Sequence, residues 1–278
     1  MSLRFTKMHG LGNDFMLLDR IQQDLPVPLE RIPELSDRHK GIGFDQLLVI
    51  GPASISGSDF EYRIFNADGT EAQQCGNGAR CVARYLSDKG LSSSKKIALG
   101  MPTGNIIHCE LMDDGQIAVD MGEPITDPKV IPFLAEAEAL TYPLDLPNGQ
   151  SIEIAALSMG NPHAIYQVES VDLAPVSELG PLIEHHRLFP ERVNAGFMQI
   201  VSPELIRLRV YERGAGETLA CGTGACAAVV AGILRSQLSE TVTVELKGGK
   251  LTISWHGAGN SVLMTGPAIT VYEGHLSL

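Results

Sequence analysis

Two cysteines, each followed by a glycine-rich turn and then by an apolar run, are the residues best suited to chemistry. Cys221 opens the segment Cys-Gly-Thr-Gly-Ala-Cys-Ala-Ala, and residues 225–234 are apolar on all sides, which predicts a buried helix. A cysteine at a helix N-terminus lies beside unpaired backbone N–H groups and the positive end of the helix dipole. We therefore expect the pKa of Cys221 to be lowered and this thiol to exchange a proton near neutral pH.

The same Cys-Gly-x-Gly-Ala core occurs a second time, at Cys75, 146 residues earlier (221 − 75). This offset pairs Asn66 with Glu212, and each of these two residues ends an alternating, strand-like run. Strand, loop, cysteine and helix therefore follow one another once in each half. Two halves that fold alike would have a pseudo-twofold relation, which predicts that both cysteines face one cleft with a substrate carbon between them.

Other polar residues recur near the same offset. The dipeptide Gly-Asn ends at Asn13 and again at Asn161, 148 residues later (161 − 13). Two more amides, Gln46 and Asn194, lie near a pair of similar loops in the two halves. Each amide is either a turn residue or a polar contact for a ligand. The internal repeat is in any case longer than the cysteine segments alone.

Short strand-like segments dominate each half, together with one central apolar helix. The long strand–helix alternation of a doubly wound sheet is missing, which favours an α+β fold of two pseudo-symmetric domains. Each domain is predicted to be a curved, mostly antiparallel sheet, or partial barrel, around its central helix. We assign residues 1–119 to the first domain, with a C-terminal strand at 267–278 returning to it, and residues 120–266 to the second.

Two further local predictions concern helices. Residues 29–39 follow a proline and are predicted to be helical. A second helix is predicted within 173–189, with 184–187 solvated at its end. The paired histidines there have no partner at metal-ligand spacing, so no metal site is predicted.

Composition and charge exclude several classes of protein. A net charge of −12 and a pI near 5.1 argue against nucleic-acid and anionic-membrane partners. The longest apolar run, 219–234, is shorter than the roughly 20 residues that span a bilayer, and the first residues lack a signal-peptide core. Five cysteines, without zinc spacing, suggest reduced thiols in a cytoplasmic protein. Three of them, Cys81, Cys109 and Cys226, are interpreted as small core residues.

Four alternatives compete with acid–base chemistry as the role of the cysteine segments. A dinucleotide fingerprint is disfavoured because a ten-residue loop separates the glycines from the preceding strand, and a phosphate loop lacks its lysine. A cysteine hydrolase could use His163 as base but needs only one cysteine. A redox-sensing pair of Cys75 with Cys221 is the strongest non-catalytic alternative. It leaves Glu212 and Arg213 without a role.

Acid–base chemistry gives every one of these residues a role. One thiolate removes the proton next to a carboxylate while the opposite thiol delivers another, which inverts the carbon. The two helix N-termini can hold the reacting carboxylate, so no electron-sink cofactor is required. Arg213 suits a second carboxylate and Glu212 suits an ammonium group, the alternative for this adjacent pair being a surface ion pair.

Three segments resemble the diaminopimelate epimerase family, and the resemblance spans essentially the whole chain. They are 66–81 (NADGTEAQQCGNGARC), 159–163 (MGNPH) and 212–225 (ERGAGETLACGTGA). The resemblance implies a cofactor-independent isomerase that interconverts LL-2,6-diaminopimelate and meso-diaminopimelate in lysine and peptidoglycan precursor biosynthesis. It further implies two pseudo-symmetric domains with the active site between them, and usually a homodimer. A proline racemase-like enzyme of the same two-thiol superfamily is the nearest enzymatic alternative.

The resemblance also implies roles for individual residues. Cys75 and Cys221 resemble the proton donor and acceptor, and His163 and Glu212 fall on positions that support catalysis. The implied substrate contacts are Asn13, Gln46, Asn66, Gly76, Asn77, Asn161, Asn194, Glu212, Arg213, Gly222 and Thr223. Among these, Gly76-Asn77 and Gly222-Thr223 match the backbone cradle for the reacting carboxylate. Tyr272 resembles a dimer-contact position, and neither a cofactor nor a metal is implied.

Overall fold

The chain folds into two compact units. The computed structural model describes residues 2–23, 26, 28–72 and 75–277. Unit 1 contains residues 1–120 and 265–278, and unit 2 contains residues 121–264. The boundaries predicted from the sequence, at 119/120 and 266/267, lie next to these.

Strands and helices alternate irregularly along the described residues. The strands are β1 (Ser2–Gly10), β2 (Asn13–Asp19), β3 (Gln46–Pro52), β4 (Phe60–Asn66), β5 (Glu71–Ala72), β6 (Lys96–Gly100), β7 (Ile106–Leu111), β8 (Ile117–Asp120), β9 (Tyr142–Asp145), β10 (Ser151–Ser158), β11 (Pro162–Gln167), β12 (Asn194–Ser202), β13 (Leu205–Glu212), β14 (Gly216–Glu217), β15 (Thr241–Leu246), β16 (Gly249–Ser254), β17 (Leu263–Gly266) and β18 (Ile269–Ser277). The α-helices are α1 (Ile32–Ser36), α2 (Gly76–Asp88), α3 (Val176–Glu184) and α4 (Gly222–Leu234).

The two units pair their strands in the same order. In unit 1, β1 lies antiparallel to β2 and β18, β3 to β4, β4 to β5, β6 to β7 and β7 to β8, whereas β2–β3 and β4–β6 are parallel. In unit 2, β10 lies antiparallel to β9 and β11, β12 to β13, β13 to β14 and β15 to β16, whereas β11–β12 and β13–β15 are parallel. The predicted α+β class, with mostly antiparallel strands, is confirmed.

One helix lies at the centre of each unit. α2 contacts β1, β2, β3, β7, β8 and β18, and α4 contacts β10, β11, β12, β13, β15 and β16. Strands on so many sides can touch one helix only if the sheet curves around it. The sequence explains the burial of α4, since its residues 224–232 are all small or apolar and all buried.

Both central helices also end in the same way. Beyond α2, Gly90 adopts a positive φ of 67°, and the N–H of Leu91 donates to the carbonyl of Leu86 at 2.9 Å. Beyond α4, Ser236 has a φ of 57°, and the N–H of Gln237 donates to Gly232 at 2.9 Å. A left-handed residue that stops a helix and redirects its last carbonyls is the Schellman arrangement.

Two local predictions are wrong. The helix predicted over 29–39 is a short 3-10 turn, Leu29–Arg31, followed by α1, which ends at Ser36. It stops there because the Asp37 carboxylate accepts the N–H groups of His39 and Lys40, which offers the backbone a turn instead.

The second error concerns residues 184–187, predicted as solvated, of which only His185 and Arg187 are exposed. Glu184 and His186 are buried, with 3% and 5% exposure. The His186 ring bonds the carbonyl of Asp145 at 3.0 Å, and Glu184 accepts a backbone N–H from a neighbouring loop. Buried polar side chains need such partners, and the partners are too distant in sequence to be inferred from local charge.

None of the helices among the described residues is both long enough and apolar enough to cross a bilayer.

Candidate functional site

Cys75 caps the N-terminus of α2. Its backbone is extended, with φ −152° and ψ 101°, and its Sγ accepts the backbone N–H of Gly78 at 3.3 Å. A Cβ at Gly78 would lie 3.5 Å from this sulfur and would overlap the Tyr62 hydroxyl, so only glycine fits there. That hydroxyl in turn donates to the Cys75 carbonyl at 3.2 Å. The sulfur therefore lies over the first turn of α2, as the glycine-rich pattern predicts.

A chain of hydrogen bonds connects the start of α2 to the loop that carries Asn13. Arg80, which is fully buried, donates to Asn77 Oδ1 at 2.9 Å, and Asn77 Nδ2 donates to Asn13 Oδ1 at 3.1 Å. Asn13 Nδ2 donates to Asp45 Oδ2 at 2.9 Å. The Cys75 Sγ lies 3.9 Å from Asn13 Oδ1. Three predicted site residues of unit 1 thus lie in one network, in which each amide has a fixed orientation.

A cluster of charged side chains is joined to that network through Asp45. Asp14 accepts hydrogen bonds from Lys7 at 2.6 Å and from Arg38 at 2.9 Å, and Arg38 also binds Asp45 at 2.6 Å. Burial alone would raise the pKa of Asp14, but the hydrogen bonds from Arg38 and Lys7 outweigh it and lower the pKa to about 2. Asp14 is therefore a permanent anion that holds both cations, and Lys7 also binds the carbonyl of Gly43.

Gln46 and Asn66 face each other across the β3–β4 pair. They are register partners, and Gln46 Nε2 donates to Asn66 Oδ1 at 2.9 Å. Asn66 Nδ2 donates to Thr70 Oγ1 at 3.1 Å. Both amides are half-buried. The structure therefore brings these two predicted contacts together at the ends of adjacent strands.

Cys221 caps α4 with the same extended backbone, φ −118° and ψ 106°. It differs from Cys75 in burial, because only 4% of it is exposed, and Thr223 Oγ1 lies 3.6 Å from its sulfur. Burial, followed by the charge of the nearby Glu212 carboxylate, raises the pKa of the Cys221 thiol well above its usual value. The lowered pKa expected from the helix terminus is therefore wrong for this state of the protein. Desolvation and a neighbouring anion exceed the effect of the helix dipole.

Glu212 ends β13 at the position that Asn66 occupies in β4. The hydroxyl of Thr218 donates to the Glu212 carboxylate, and the N–H of Ala215 donates to its carbonyl at 3.1 Å. In unit 1 the N–H of Gly69 makes the equivalent bond to Asn66, at 2.9 Å. The two hairpins are thus alike in backbone, and they differ in carrying a carboxylate in place of an amide.

His163 is fully buried and uncharged. Its Nε2 lies 2.9 Å from Asn161 Oδ1, which makes Nε2 the protonated nitrogen. Within the described residues Nδ1 has no hydrogen-bond partner. Burial, with a smaller effect of the Arg213 charge, lowers the pKa of His163 to about 3. The ring therefore presents a bare acceptor nitrogen.

Asn194 and Glu184 hold the loop that carries Arg213. Asn194, the register partner of His163, accepts the backbone N–H of Arg213 at 2.9 Å. Glu184 accepts the N–H of the next residue, Gly214, at 2.8 Å. The Arg213 guanidinium is exposed and donates to a backbone carbonyl at 2.9 Å, so it carries no carboxylate partner within the described residues. It is available to an anionic ligand.

The sequence missed four supporting residues. Arg80, Asp45, Thr218 and Glu184 each hold a predicted site residue or its loop, as described above. Only Arg80 could have been noticed in the sequence, because it is a charged residue in the first turns of a helix predicted to lie at the centre of its domain. The predicted residues Gly76 and Gly222 form the first turns of α2 and α4. A helix N-terminus of this kind suits a carboxylate.

Tyr272, which the sequence resemblance implies as a dimer contact, lies on β18 and is 43% exposed. No group of three or more His, Cys, Asp or Glu side chains within residues 2–23, 26, 28–72 and 75–277 is arranged to hold a metal ion.

Comparison with known proteins identifies the family of this chain. The family model for diaminopimelate epimerase matches residues 5–126 and 155–271. The diaminopimelate epimerases of Chromobacterium violaceum and Ectopseudomonas mendocina are 57% and 56% identical to this chain, and each alignment covers all of both chains. A solved hydroxyproline epimerase from Agrobacterium vitis has a TM-score of 0.72 at 16% identity, covering 100% of this chain and 93% of its own, and so shares the fold. The chain belongs to the diaminopimelate epimerase family.

Proposed function

We propose that this chain is a cofactor-independent isomerase that interconverts LL-2,6-diaminopimelate and meso-diaminopimelate, supplying lysine and peptidoglycan precursors. One observation carries the proposal: each unit holds a cysteine at the N-cap of its buried central helix, Cys75 on α2 and Cys221 on α4. A thiol is suited to proton transfer there, and the adjoining N–H groups suit a carboxylate. We propose that the two units are the two epimerase domains.

The reaction requires one thiolate and one thiol at the start of each turnover. In one direction the thiolate sulfur takes the α-proton, and the C–H electrons spread into the adjacent carboxylate. The thiol then gives its proton to the opposite face of the carbon and becomes a thiolate, so the two cysteines exchange protonation states. Cys221, whose pKa is raised by burial and by Glu212, suits the thiol partner in the ligand-free enzyme. That both thiols act on one carbon remains a prediction from the internal repeat.

His163 and Glu212 are proposed to assist these transfers. The neutral His163 ring offers Nδ1 as a free acceptor, and its protonated Nε2 is held by Asn161. Glu212 lies close enough to Cys221 to raise its pKa. An ammonium group that paired with Glu212 would cancel part of this effect, so substrate binding would itself ease the release of the Cys221 proton.

The remaining predicted contacts fit a long, doubly charged amino acid. Arg213 supplies an exposed guanidinium for a second carboxylate. The amides of Asn13, Gln46, Asn66 and Asn194 offer further polar contacts. A proline-like substrate has a single carboxylate and would leave Arg213 unused. Turnover of diaminopimelate but not of proline, with kcat/KM compared for both, distinguishes the two substrate classes.

Isotope exchange and cysteine variants test the mechanism. In deuterated water, initial product should carry deuterium at the inverted carbon while recovered substrate does not. Equal early labelling of both would mean one base and would contradict the two-thiol reaction. Cys75→Ala and Cys221→Ala should each abolish epimerisation. Full activity in either variant would favour the redox-pair alternative.

We further propose a homodimer in the cytoplasm. A reaction that needs reduced thiols suits a reducing compartment. Exposed apolar side chains on β18, namely Ile269, Val271 and Tyr272, support a contact along this strand. Light scattering should give twice the chain mass, and Tyr272→Glu should shift it to one chain mass. A monomeric wild-type protein would contradict the dimer and leave the chemistry unaffected.

A further inference from the structure

An arginine and a glutamate form the same two-pronged ion pair in both units. In unit 1, Arg63 Nε lies 2.8 Å from Glu71 Oε1, and Nη2 lies 3.0 Å from Oε2. In unit 2, the same atoms of Arg209 and Glu217 are 2.6 Å and 2.9 Å apart. Both partners are displaced by the 146 residues that separate the cysteines (209 − 63 and 217 − 71). The pair is therefore part of the repeated unit.

Each pair ties together the two strands of one hairpin. In β4–β5 the residue opposite Glu71 is Phe65, and in β13–β14 the residue opposite Glu217 is Tyr211, so the register is identical. The outgoing strand ends at Asn66 or Glu212, three residues after the arginine. The returning strand leads to the cysteine, four residues after the glutamate. The ion pair thus joins the strand that ends at a proposed substrate contact to the strand that leads to a proposed catalytic cysteine.

The pair in unit 2 has the stronger support. Arg209 and Glu217 are 18% and 20% exposed, against 34% and 38% for Arg63 and Glu71. Arg209 also donates to the carbonyl of Val171 at 2.7 Å, and Glu217 accepts Lys247 at 2.7 Å. These contacts hold Arg209 from the turn that precedes α3, and Glu217 from the turn between β15 and β16.

The connection beyond Glu217 is held as well. The N–H of Gly248 donates to the carbonyl of Leu219 at 2.8 Å, and the N–H of Thr218 donates to Val210 at 3.3 Å. Thr218 also donates its hydroxyl to Glu212. The backbone from Glu217 towards Cys221 is therefore bonded at successive residues.

We propose that Arg209–Glu217 and Arg63–Glu71 are positioning pairs that set the places of Cys221 and Cys75. Only the expected loss of catalytic activity rests on the proposed function. Each arginine acts through the hairpin and touches neither thiol. Two bonds in a fixed fork define the position of the glutamate more closely than one can, which explains arginine rather than lysine.

The experiment compares Arg209→Lys with Arg207→Lys. Arg207 lies two residues earlier on β13 and makes an equally two-pronged pair with Asp172, at 2.7 Å and 3.0 Å. Asp172 lies outside the hairpin, so the same substitution removes a similar bond without loosening the path to Cys221. Glu217→Gln is the second variant of the positioning pair, and it alters the glutamate while Arg209 is kept.

Two readouts are measured for each variant. A small loss of position lowers the rate of proton transfer more than binding, so kcat should fall about tenfold with KM changed less than twofold. Without substrate, the alkylation rate of Cys221 by iodoacetamide, followed by peptide mass spectrometry, should rise about threefold relative to Cys75 in the same molecule as buried Cys221 is released. Arg63→Lys should shift this ratio in the opposite sense.

The outcomes separate the two proposals. Alkylation does not depend on the substrate, so an inactive wild-type enzyme would overturn the proposed function and still leave the positioning pairs testable. The pairs are overturned if Arg209→Lys and Glu217→Gln match Arg207→Lys in both readouts. A fall in kcat without a selective change at Cys221, or the reverse, also overturns them. A uniform loss of melting temperature without these changes would indicate stability alone.

Discussion

Gly224 lies beside the proposed catalytic sulfur of unit 2, and replacing it should move that sulfur by a small amount. In unit 2 a Cβ on Gly224 would lie 3.2 Å from Cys221 Sγ and 3.1 Å from a methyl of Val210. Ordinary contacts between such atoms are about 3.5–4.0 Å. Gly224→Ala should therefore displace the sulfur by about 0.5 Å.

This displacement should lower activity much more than stability. A misplacement of 1 Å can cost about 100-fold in rate, so half that distance should lower kcat by about tenfold. Overpacking costs about 1–3 kcal/mol of folding free energy. Alanine is favoured over glycine in a helix by about 1 kcal/mol, which offsets part of that cost. The net loss should be no more than about 2 kcal/mol.

The assay is the initial rate of epimerisation with urea unfolding on the same samples, and a second site gives the control. Gly78→Ala places its methyl against the Tyr62 hydroxyl, so its effect should be larger. The double variant Gly78→Ala with Tyr62→Phe removes that hydroxyl and should recover part of the lost kcat. Wild-type kcat in Gly224→Ala, with the protein folded, would refute the idea that the first helical turn sets the sulfur position.

Three further predictions test the surroundings of the site. Arg80→Met removes a fully buried guanidinium that donates to Asn77 and to a distant carbonyl, and it should lower the free energy of unfolding by about 2–5 kcal/mol. Arg84→Met, on the exposed face of the same helix, should change it by less than about 0.5 kcal/mol in the same urea titration. Glu184→Ala leaves a backbone N–H of the Arg213 loop without its acceptor; KM should rise while Glu184→Gln, which keeps an oxygen there, stays near wild type. Burial lowers the pKa of His163 to about 3 from 6.5. Between these two pH values the unfolded chain binds a proton on this ring and the folded chain does not. Stability should therefore fall as the pH drops from 6.5 to 3, by roughly 1.4 kcal/mol for each pH unit. His163→Gln should flatten that dependence, and an unchanged slope would show that His163 is not its source.

The internal repeat explains how much of the fold the sequence predicts. Spacing alone pairs Cys75 with Cys221, and the structure gives both the same place, the N-cap of a central helix. Periodicity also identifies the strands before the cysteines, β4 and β13, to within a residue or so at each end. These features are local, since a glycine turn, an N-cap and an alternating strand depend on residues near one another in the chain.

The failures arise where the partner is distant in sequence. Glu184 and His186 look like a solvated helix end, yet their partners lie at Gly214 and Asp145. Arg80 is fully buried because Asn77 and the carbonyl of Pro267 receive its donors, and residue 267 lies at the far end of the chain. Local charge predicts exposure for such residues. Only the folded chain shows which bonds replace water.

The raised pKa of Cys221 shows how the surroundings of one copy of a duplicated segment alter its chemistry. Both cysteines cap a helix with extended backbone, so the helix dipole favours the thiolate in each. Cys221 is in addition deeply buried, and Glu212 stands at the position of its hairpin that Asn66 occupies in unit 1. Glu212 adds a negative charge beside a sulfur that is 4% exposed, and both effects favour the thiol. A two-thiol reaction needs one protonated and one deprotonated sulfur, and two identical halves would give both cysteines the same pKa. Burial of Cys221, together with the carboxylate that replaces an amide at one position of the repeat, thus favours the thiol form of Cys221 before substrate binds.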